Sequence, residues 1–230
     1  MFSLLGIGQN ISPDTSQYSS ASAELISTYL KSVGYSSLLY NGVEYAPGYK
    51  EVKGSPFFEH ENFELGSVSY NGINYRNLFI KFDIAQNEVI IKGAKGEGIS
   101  LIKNKVDSFE INDARFIKLP IATHDNAGQT TTFFHRIFTS PFVQLYAIRK
   151  KLIKTSTRAE EPIVFLTVSE YYVLKNNQLF KINSKDDLSK VLEDYKMQMN
   201  TFFKNSKVNF RKETERFITT SLNYYVSLIK

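Results

Sequence analysis

Val68-Ser69-Tyr70-Asn71-Gly72-Ile73-Asn74-Tyr75 is the most informative segment for the fold. An Asn-Gly pair lies between two short runs in which apolar and polar residues alternate. Both residues of the pair tolerate the positive φ of a type I′ turn, which makes the pair a strong local signal for a β-hairpin. Leu38-Leu39-Tyr40-Asn41-Gly42-Val43-Glu44-Tyr45 repeats the pattern earlier in the chain. We therefore expect antiparallel strands and predict a hairpin at each Asn-Gly pair.

Short strand-like segments separated by turn residues continue along the chain. Close spacing of this kind predicts a mainly β, α+β protein, built on an antiparallel meander, a curled sheet or a half-barrel. The predicted strands are Leu78–Asp83, Glu88–Lys92, Ile99–Ile102, Ser108–Ile111, Arg115–Leu119, Thr131–Phe138, Phe142–Lys154, Ile163–Leu174 and Leu179–Ile182.

Three segments have the apolar spacing of helices instead. Residues 21–33 form one such segment, which ends before Gly34. Near the C-terminus, Ser184 can cap a helix that runs to about residue 205, with Asp187 three positions on. A second amphipathic helix is predicted from about residue 212 to residue 228. We expect both C-terminal helices to pack on the sheet or on each other, since short helices are unstable alone.

The domain organisation follows from these segments. Residues 1–8 form a short apolar run that ends in small residues, as the remnant of a signal peptide would, and they predict export. Residues 9–22 read as a flexible lead-in, and residues 23–230 as a single β-rich domain. No stretch approaches the roughly 18 apolar residues of a membrane-spanning helix.

Composition excludes some chemistry and leaves much open. The 230 residues include 18 Phe and 14 Tyr, which favour β structure, and no Trp. The absence of Cys excludes disulfides, thiolate catalysis and zinc sites with Cys ligands. A net charge of +5 is compatible with an anionic partner but specifies none.

The order of several local motifs resembles that of a large group of uncharacterised exported proteins common in the Bacteroidota. The resemblance covers about residues 38 to 228 and implies an envelope location, without implying a catalytic residue. The motifs are the two Tyr-Asn-Gly segments, Gly54-Ser55-Pro56-Phe57-Phe58, Asn77 to Phe82-Asp83, Tyr171-Tyr172, Asn176-Asn177, Ser184-Lys185, Asn209-Phe210-Arg211 and Tyr224-Tyr225.

A search for catalytic motifs finds none. His60, His124 and His135 do not have the spacing of a metal site, and we predict neither a metal nor a cofactor. The glycine-rich stretch 93–98 lacks the order of a phosphate-binding loop and predicts a tight turn or a bulge. The carboxylates of residues 59–64 and of Glu160-Glu161 are more simply explained as solvated charges than as a glycosidase pair.

One basic run carries the candidate binding residues. Lysines and aromatic residues occur together here, as in nucleic-acid sites, but no accompanying motif supports nucleic acid as the partner. A charged edge strand explains the lysines equally well, and an anionic lipid or polysaccharide surface is a third interpretation. The candidate residues for a ligand or partner are Arg149, Lys150, Lys151, Lys154 and Tyr146, with His124 and Asp125 from a polar loop.

Three functions remain open at this point. The first is an exported binding or structural protein of the periplasm or outer cell envelope, without catalytic activity, whose partner is an anionic envelope component or another protein. The second is a periplasmic carrier of an apolar, lipid-like ligand, which requires a cavity inside the sheet. The third is a glycan hydrolase, which requires two carboxylates that converge in a cleft.

Overall fold

The computed structural model describes Leu39 and residues 41–119, 132–155 and 162–229. The chain divides into two units, residues 1–41 and residues 42–230. All strands and helices named below belong to the second unit. The predicted signal remnant, the lead-in and the predicted helix over residues 21–33 lie outside the described residues.

The second unit is mainly an antiparallel sheet of 11 strands. Every strand pair in it is antiparallel. The strands are β1 (Val43–Glu44), β2 (Glu64–Tyr70), β3 (Ile73–Asp83), β4 (Glu88–Lys92), β5 (Gly98–Ser100), β6 (Val106–Ile111), β7 (Ala114–Lys118), β8 (Phe133–Thr139), β9 (Val143–Lys154), β10 (Val164–Lys175) and β11 (Gln178–Ile182).

The strand order is β1-β5-β4-β3-β2-β6-β7-β8-β9-β10-β11. Strands β2 to β5 and strands β6 to β11 are therefore two runs of consecutive neighbours, joined where β6 returns to pair with β2. Because of this return, the sheet is continuous without being a single meander. It is open, since its end strands β1 and β11 do not pair with each other.

Three α-helices follow the last strand in the described part of the chain. They are α1 (Lys185–Val191), α2 (Lys196–Asn205) and α3 (Thr214–Ile229). The backbone N–H of Asp187 donates to the Ser184 hydroxyl, which confirms the predicted N-cap. The single helix predicted up to residue 205 is wrong, because a 3-10 turn over Glu193–Tyr195 separates α1 from α2.

The two predicted hairpins have different outcomes. At Asn71-Gly72 both φ angles are positive and β2 pairs with β3, as predicted. The hairpin predicted at Asn41-Gly42 is wrong, because Leu39 is helical and β1 pairs with β5. Gly42 serves a different purpose there. A Cβ at this position would lie 2.2 Å from the carbonyl oxygen of Ser100, so a larger residue could not approach β5.

Strand register defines two faces of the sheet. We call the inner face the one that bears the directly paired residues Tyr75, Val68, Phe109, Phe116, His135, Ala147, Tyr171 and Ile182, one from each of eight neighbouring strands. Side chains alternate along a strand, so the neighbours of these residues lie on the outer face.

Most of the core lies on the inner face and has two parts, while Phe134, Tyr146 and Ile148 form a smaller buried cluster on the outer face. Phe82, Phe109, Phe116 and Phe133 pack ring against ring, with centroids 4.8–5.9 Å apart. The helices cover the other part, where the buried residues of β9 to β11 meet those of α1, α2 and α3. Within the described residues, no helix is long and apolar enough to cross a membrane.

Candidate functional site

The predicted basic residues lie on the longest hairpin of the sheet. Strands β9 and β10 pair over 12 residues each, from Val143 opposite Lys175 to Lys154 opposite Val164. The register of β8 with β9 covers only residues 144–147, and that of β11 with β10 only residues 171–175. Within the described residues, the half of the hairpin that ends at Lys154 therefore extends beyond both neighbouring strands. His124 and Asp125 lie outside the described residues.

Alternation along β9 divides the predicted basic patch between two faces. Arg149 and Lys151 lie on the inner face, and Tyr146, Lys150 and Lys154 lie on the outer face. Consecutive basic residues in the sequence therefore do not form one continuous surface.

Arg149 is the centre of a polar cluster between the sheet and α3. Its guanidinium lies 2.7 Å from the Glu215 carboxylate and donates to the Ser169 hydroxyl over 3.0 Å. It also donates to Nδ1 of His135, over 3.2 Å from Nε. The Tyr171 hydroxyl donates to the same Glu215 oxygen over 3.1 Å. Because every polar group here has a partner inside the protein, Arg149 holds α3 on the sheet and is not available to a ligand.

The electrostatics of this cluster keep His135 neutral. Its ring lies against Phe116 and Phe58, with centroids 4.9 and 5.5 Å away. Burial and the adjacent Arg149 charge lower the pKa of His135 to about 4, against an opposing effect of Glu215. A neutral imidazole accepts the Arg149 hydrogen bond without charge repulsion.

Lys151 is also used inside the protein. Its ammonium group donates to the carbonyl oxygens of Ser55 and Phe57 over 2.6 and 2.7 Å, and burial lowers its pKa. Its backbone N–H donates to the carbonyl of Ile84 over 3.2 Å. Lys151 thus fastens the segment that contains Ser55 and Phe57 across the inner face of the hairpin.

The outer face of the hairpin holds a second ion-pair cluster. The Glu170 carboxylate accepts from Lys150 over 2.7 Å, from Lys181 over 2.8 Å and from the Tyr172 hydroxyl over 2.9 Å. Burial alone would raise the pKa of Glu170, but these hydrogen bonds outweigh it and lower the pKa to about 2. Tyr146 is buried beside this cluster and donates to the Gln144 side chain. Of the predicted basic residues, Lys154 is the one left exposed at the end of the hairpin.

The most buried carboxylate of the described chain is structural. Asp83 is fully buried and accepts from the hydroxyls of Tyr45 and Tyr49, over 2.7 and 2.9 Å. It also accepts from the backbone N–H groups of Ala85 and Gln86. Burial and the Asp83 carboxylate raise the pKa of both tyrosines. These four donors occupy the carboxylate and leave it no free oxygen for catalysis.

A different surface of the sheet is open and polar. The outer face of β2, β3, β6 and β7 contains a depression of about 950 Å³. The strand register places Ser67 next to Glu110 and Glu110 next to Arg115, in one row across three strands. The next row contains Asn74, Ser69 and Ser108. We call this surface the polar depression.

Side-chain size explains the shape of the polar depression. The serines at its centre are short, whereas Arg76 and Arg115 at either side are long. A β-bulge between Gly66 and Val68 brings Ser67 opposite residues 76–77 of β3 and bends the strand locally. The short serine side chains therefore form the bottom of the depression, and the long side chains of Arg76 and Arg115 flank it.

Many polar groups of the depression are free. Within the described residues, the side chains of Arg76, Arg115 and Glu110 have neither an ion pair nor a hydrogen bond, and the hydroxyls of Ser67 and Ser108 have no partner. The floor therefore offers donors and acceptors side by side on the sheet.

Two other sequence predictions concern ligands. Of the tight turn or bulge predicted at residues 93–98, the structure has the tight turn, which ends where β5 begins at Gly98. The Gly93 N–H donates to the Glu97 carbonyl, and Gly96 has a φ of +88°. The described ranges contain no group of three potential metal ligands.

Sequence reasoning missed the polar depression. Its residues come from four strands, of which β2 and β6 are distant in sequence. Each serine or arginine alone is an ordinary outward-facing strand residue, so only the pairing of β2 with β6 reveals the group.

Comparison with protein-family models, curated proteins and solved structures finds no match for this chain.

Proposed function

We propose that this is an exported, non-catalytic binding protein of the cell envelope that holds a neutral polysaccharide segment in the polar depression. The observation that carries the proposal is the row of free polar side chains on the outer face of β2, β3, β6 and β7. The apolar N-terminal run and the resemblance to exported proteins support the envelope location.

The chemistry of the depression favours a ligand rich in hydroxyl groups. Arg76 and Arg115 balance the carboxylates of Glu110 and Asp113, so the formal charges of the lining cancel. A phosphate or a nucleic-acid backbone would gain little from a site without net positive charge. Sugar hydroxyls both donate and accept, and they match alternating guanidinium, carboxylate and serine groups.

The dimensions of the depression fit a short oligosaccharide. Neighbouring strands lie about 4.8 Å apart, so the three spacings between β3 and β7 span about 14 Å. A chain that crosses the strands would meet the long side chains of Arg76 and Arg115 at its ends and the serines between them.

The apolar-carrier alternative is less well supported. Such a carrier needs an apolar cavity of several hundred Å³. The part of the inner face where a curled sheet would enclose ligand is occupied by the rings of Phe82, Phe109, Phe116 and Phe133. Buried aromatic rings in mutual contact form a packed core rather than a lumen.

Calorimetric titration tests the proposal. The probes are neutral hexasaccharides of glucose, mannose and N-acetylglucosamine in different linkages, and at least one should bind. Glu110→Gln should weaken that binding about tenfold or more, because a hydrogen bond to a charged group contributes about 1.5–3 kcal/mol.

A second variant and its control separate binding from folding. Ser108→Trp fills the floor of the depression and should abolish binding. Thr139→Trp places the same side chain at an exposed strand position on β8 and should leave binding unchanged. Failure of every neutral hexasaccharide to bind, or equal effects of the two variants, would contradict the proposal.

Incubation with the protein distinguishes binding from hydrolysis. The bound hexasaccharide should be recovered intact by mass spectrometry after prolonged incubation. Shorter fragments would instead indicate a glycan hydrolase, with Glu110 and Asp113 as the first carboxylates to replace.

A further inference from the structure

Two leucines form an exposed apolar pair at the end of the β9–β10 hairpin. Leu152 and Leu166 are direct partners across the two strands, and both lie on the outer face. Their exposed fractions are 51% and 50%, and the adjacent Ile153 is 47% exposed. Single exposed leucines are common, but neighbouring ones on a protruding element indicate an interaction surface.

Cations accompany this apolar pair. Residues 148–155 contain four basic side chains. Arg149, Lys150 and Lys151 are paired within the protein, whereas Lys154 is exposed. Lys150 and Lys154 share the outer face with the leucines, on either side of Leu152. Lys53 adds a further exposed cation. A parallel bridge to Val164 places it beside β10, at the other edge of the hairpin.

The protein holds the end of the hairpin in a fixed orientation. Two hydrogen bonds from the Lys151 ammonium group bind it to the segment around Ser55 and Phe57. The backbone N–H of Phe165 donates to the Lys53 carbonyl, and the Lys53 N–H donates to that of Ile163. The inner face is covered in this way, so Leu152 and Leu166 cannot turn inward and remain directed to the surroundings.

We propose that the end of the β9–β10 hairpin docks on an anionic lipid bilayer. Leu152 and Leu166 enter the boundary between headgroups and acyl chains, and the exposed ammonium groups of Lys154 and Lys53 contact lipid phosphates. Apolar burial and attraction between lysines and anionic lipid add in this mode of binding. The long lysine stems also allow the charge to remain among the headgroups while the leucines are buried.

A protruding hairpin end suits a bilayer better than a protein partner. A stable protein interface generally buries about 1,200 Å² or more in total, which two strands about 4.8 Å apart do not offer. A bilayer requires no such area, because the exposed outer face of the hairpin end can enter it alone. The polar depression lies on other strands, so this proposal and the proposed function can fail separately.

The absence of tryptophan from the sequence makes a direct test available. The single-tryptophan variant Leu152→Trp is mixed with phosphatidylcholine vesicles that contain about one third phosphatidylglycerol. Its emission should shift to shorter wavelength on binding, as the indole leaves water. Vesicles of phosphatidylcholine alone, or salt raised to about 0.5 M, should reduce the shift strongly, because screening weakens the lysine contribution.

The control variant carries its tryptophan elsewhere. Met197 lies on α2 and is 80% exposed. Met197→Trp therefore reports whether vesicles bind to the protein surface around α2 instead of to the hairpin. Its emission should not change with vesicles. Equal shifts of the two variants, or no shift of Leu152→Trp with anionic vesicles, would overturn the proposal.

Cosedimentation of the protein without tryptophan gives an independent measurement. The double variant Leu152→Ser/Leu166→Ser should bind anionic vesicles at least about tenfold more weakly, and Lys154→Glu several-fold more weakly. Both changes lie on exposed positions, and unchanged circular dichroism confirms that the variants fold. Unaltered binding of the double variant would contradict docking through the hairpin.

Discussion

His135 shows how the surroundings of a single residue determine its chemistry. As part of the sequence it is one of three histidines without a motif, and nothing local indicates whether it is exposed or buried. The strand pairing places it between aromatic rings and the Arg149 guanidinium, which explains the lowering of its pKa. Because the folded pKa of about 4 lies below the unfolded value of about 6.5, the unfolded chain binds more protons between these pH values.

The stability contribution of neutral His135 should therefore disappear as the pH falls. It is fully present above about pH 6.5, amounts to about 3 kcal/mol, and is lost by about pH 4. Urea unfolding of the wild type and of His135→Gln across this range separates the contribution of His135 from that of the carboxylates that titrate at the same pH. The difference between the two proteins should change by this amount, and parallel pH profiles would contradict the assignment.

The buried carboxylate of Asp83 leads to a second prediction. Asp83→Ala removes the acceptor of two tyrosine hydroxyls and two backbone N–H groups in a buried site. We expect the free energy of unfolding to fall by about 3–5 kcal/mol, because buried donors would lose their partner. Asp186→Ala, on the exposed first turn of α1, should cost less than about 1 kcal/mol in the same urea titration. Similar losses in the two variants would show that the four hydrogen bonds to Asp83 do not stabilise the fold.

The two Asn-Gly pairs show what can be predicted for single elements. The pair at residues 71–72 forms the predicted turn, because alternating strands on both sides agree with it. The pair at residues 41–42 has the same local signal and a different structure. The glycine there permits close approach to β5, a strand more than 50 positions away, and no local pattern could reveal that contact.

The positive φ of Gly72 supplies a test of the hairpin. Gly72→Ala should lower the free energy of unfolding by about 1–2 kcal/mol, because the φ of +74° strains a residue with a Cβ. Gly48→Ala is the matched control, since φ is not positive there and no atom lies within 4 Å of the added Cβ. Thermal unfolding of both variants should separate them, and equal stability would argue against the turn.

The helical region shows why an element can be divided without a sequence signal. Apolar spacing continues from residue 185 to residue 205 with neither Pro nor Gly, so the sequence predicts one helix. Asp194 interrupts it through tertiary contacts. Its carboxylate lies 2.7 Å from the Lys175 ammonium group and accepts from the Tyr225 hydroxyl over 2.6 Å. These contacts of Asp194 with β10 and α3 thus favour the 3-10 turn, which local helix propensity does not predict.

At the scale of the whole molecule, the strands were predictable and their assembly was not. Periodicity and turn residues locate most strands within a few positions, because each depends on neighbours along the chain. The strand order depends on β6 returning to β2, a contact between segments about 40 residues apart. The polar depression exists only through that pairing. The divided basic run of β9 likewise depends on which face each residue takes in the sheet.

A heteronuclear NMR titration with the tightest-binding neutral hexasaccharide shows where on the sheet the ligand binds. The amide shifts should change at Ser67, Ser69, Ser108 and Glu110, with smaller changes elsewhere on the sheet. Saturable changes confined to this outer face would agree with a binding protein that uses the polar depression. Changes centred on other strands, or unchanged spectra with every neutral hexasaccharide tested, would contradict it.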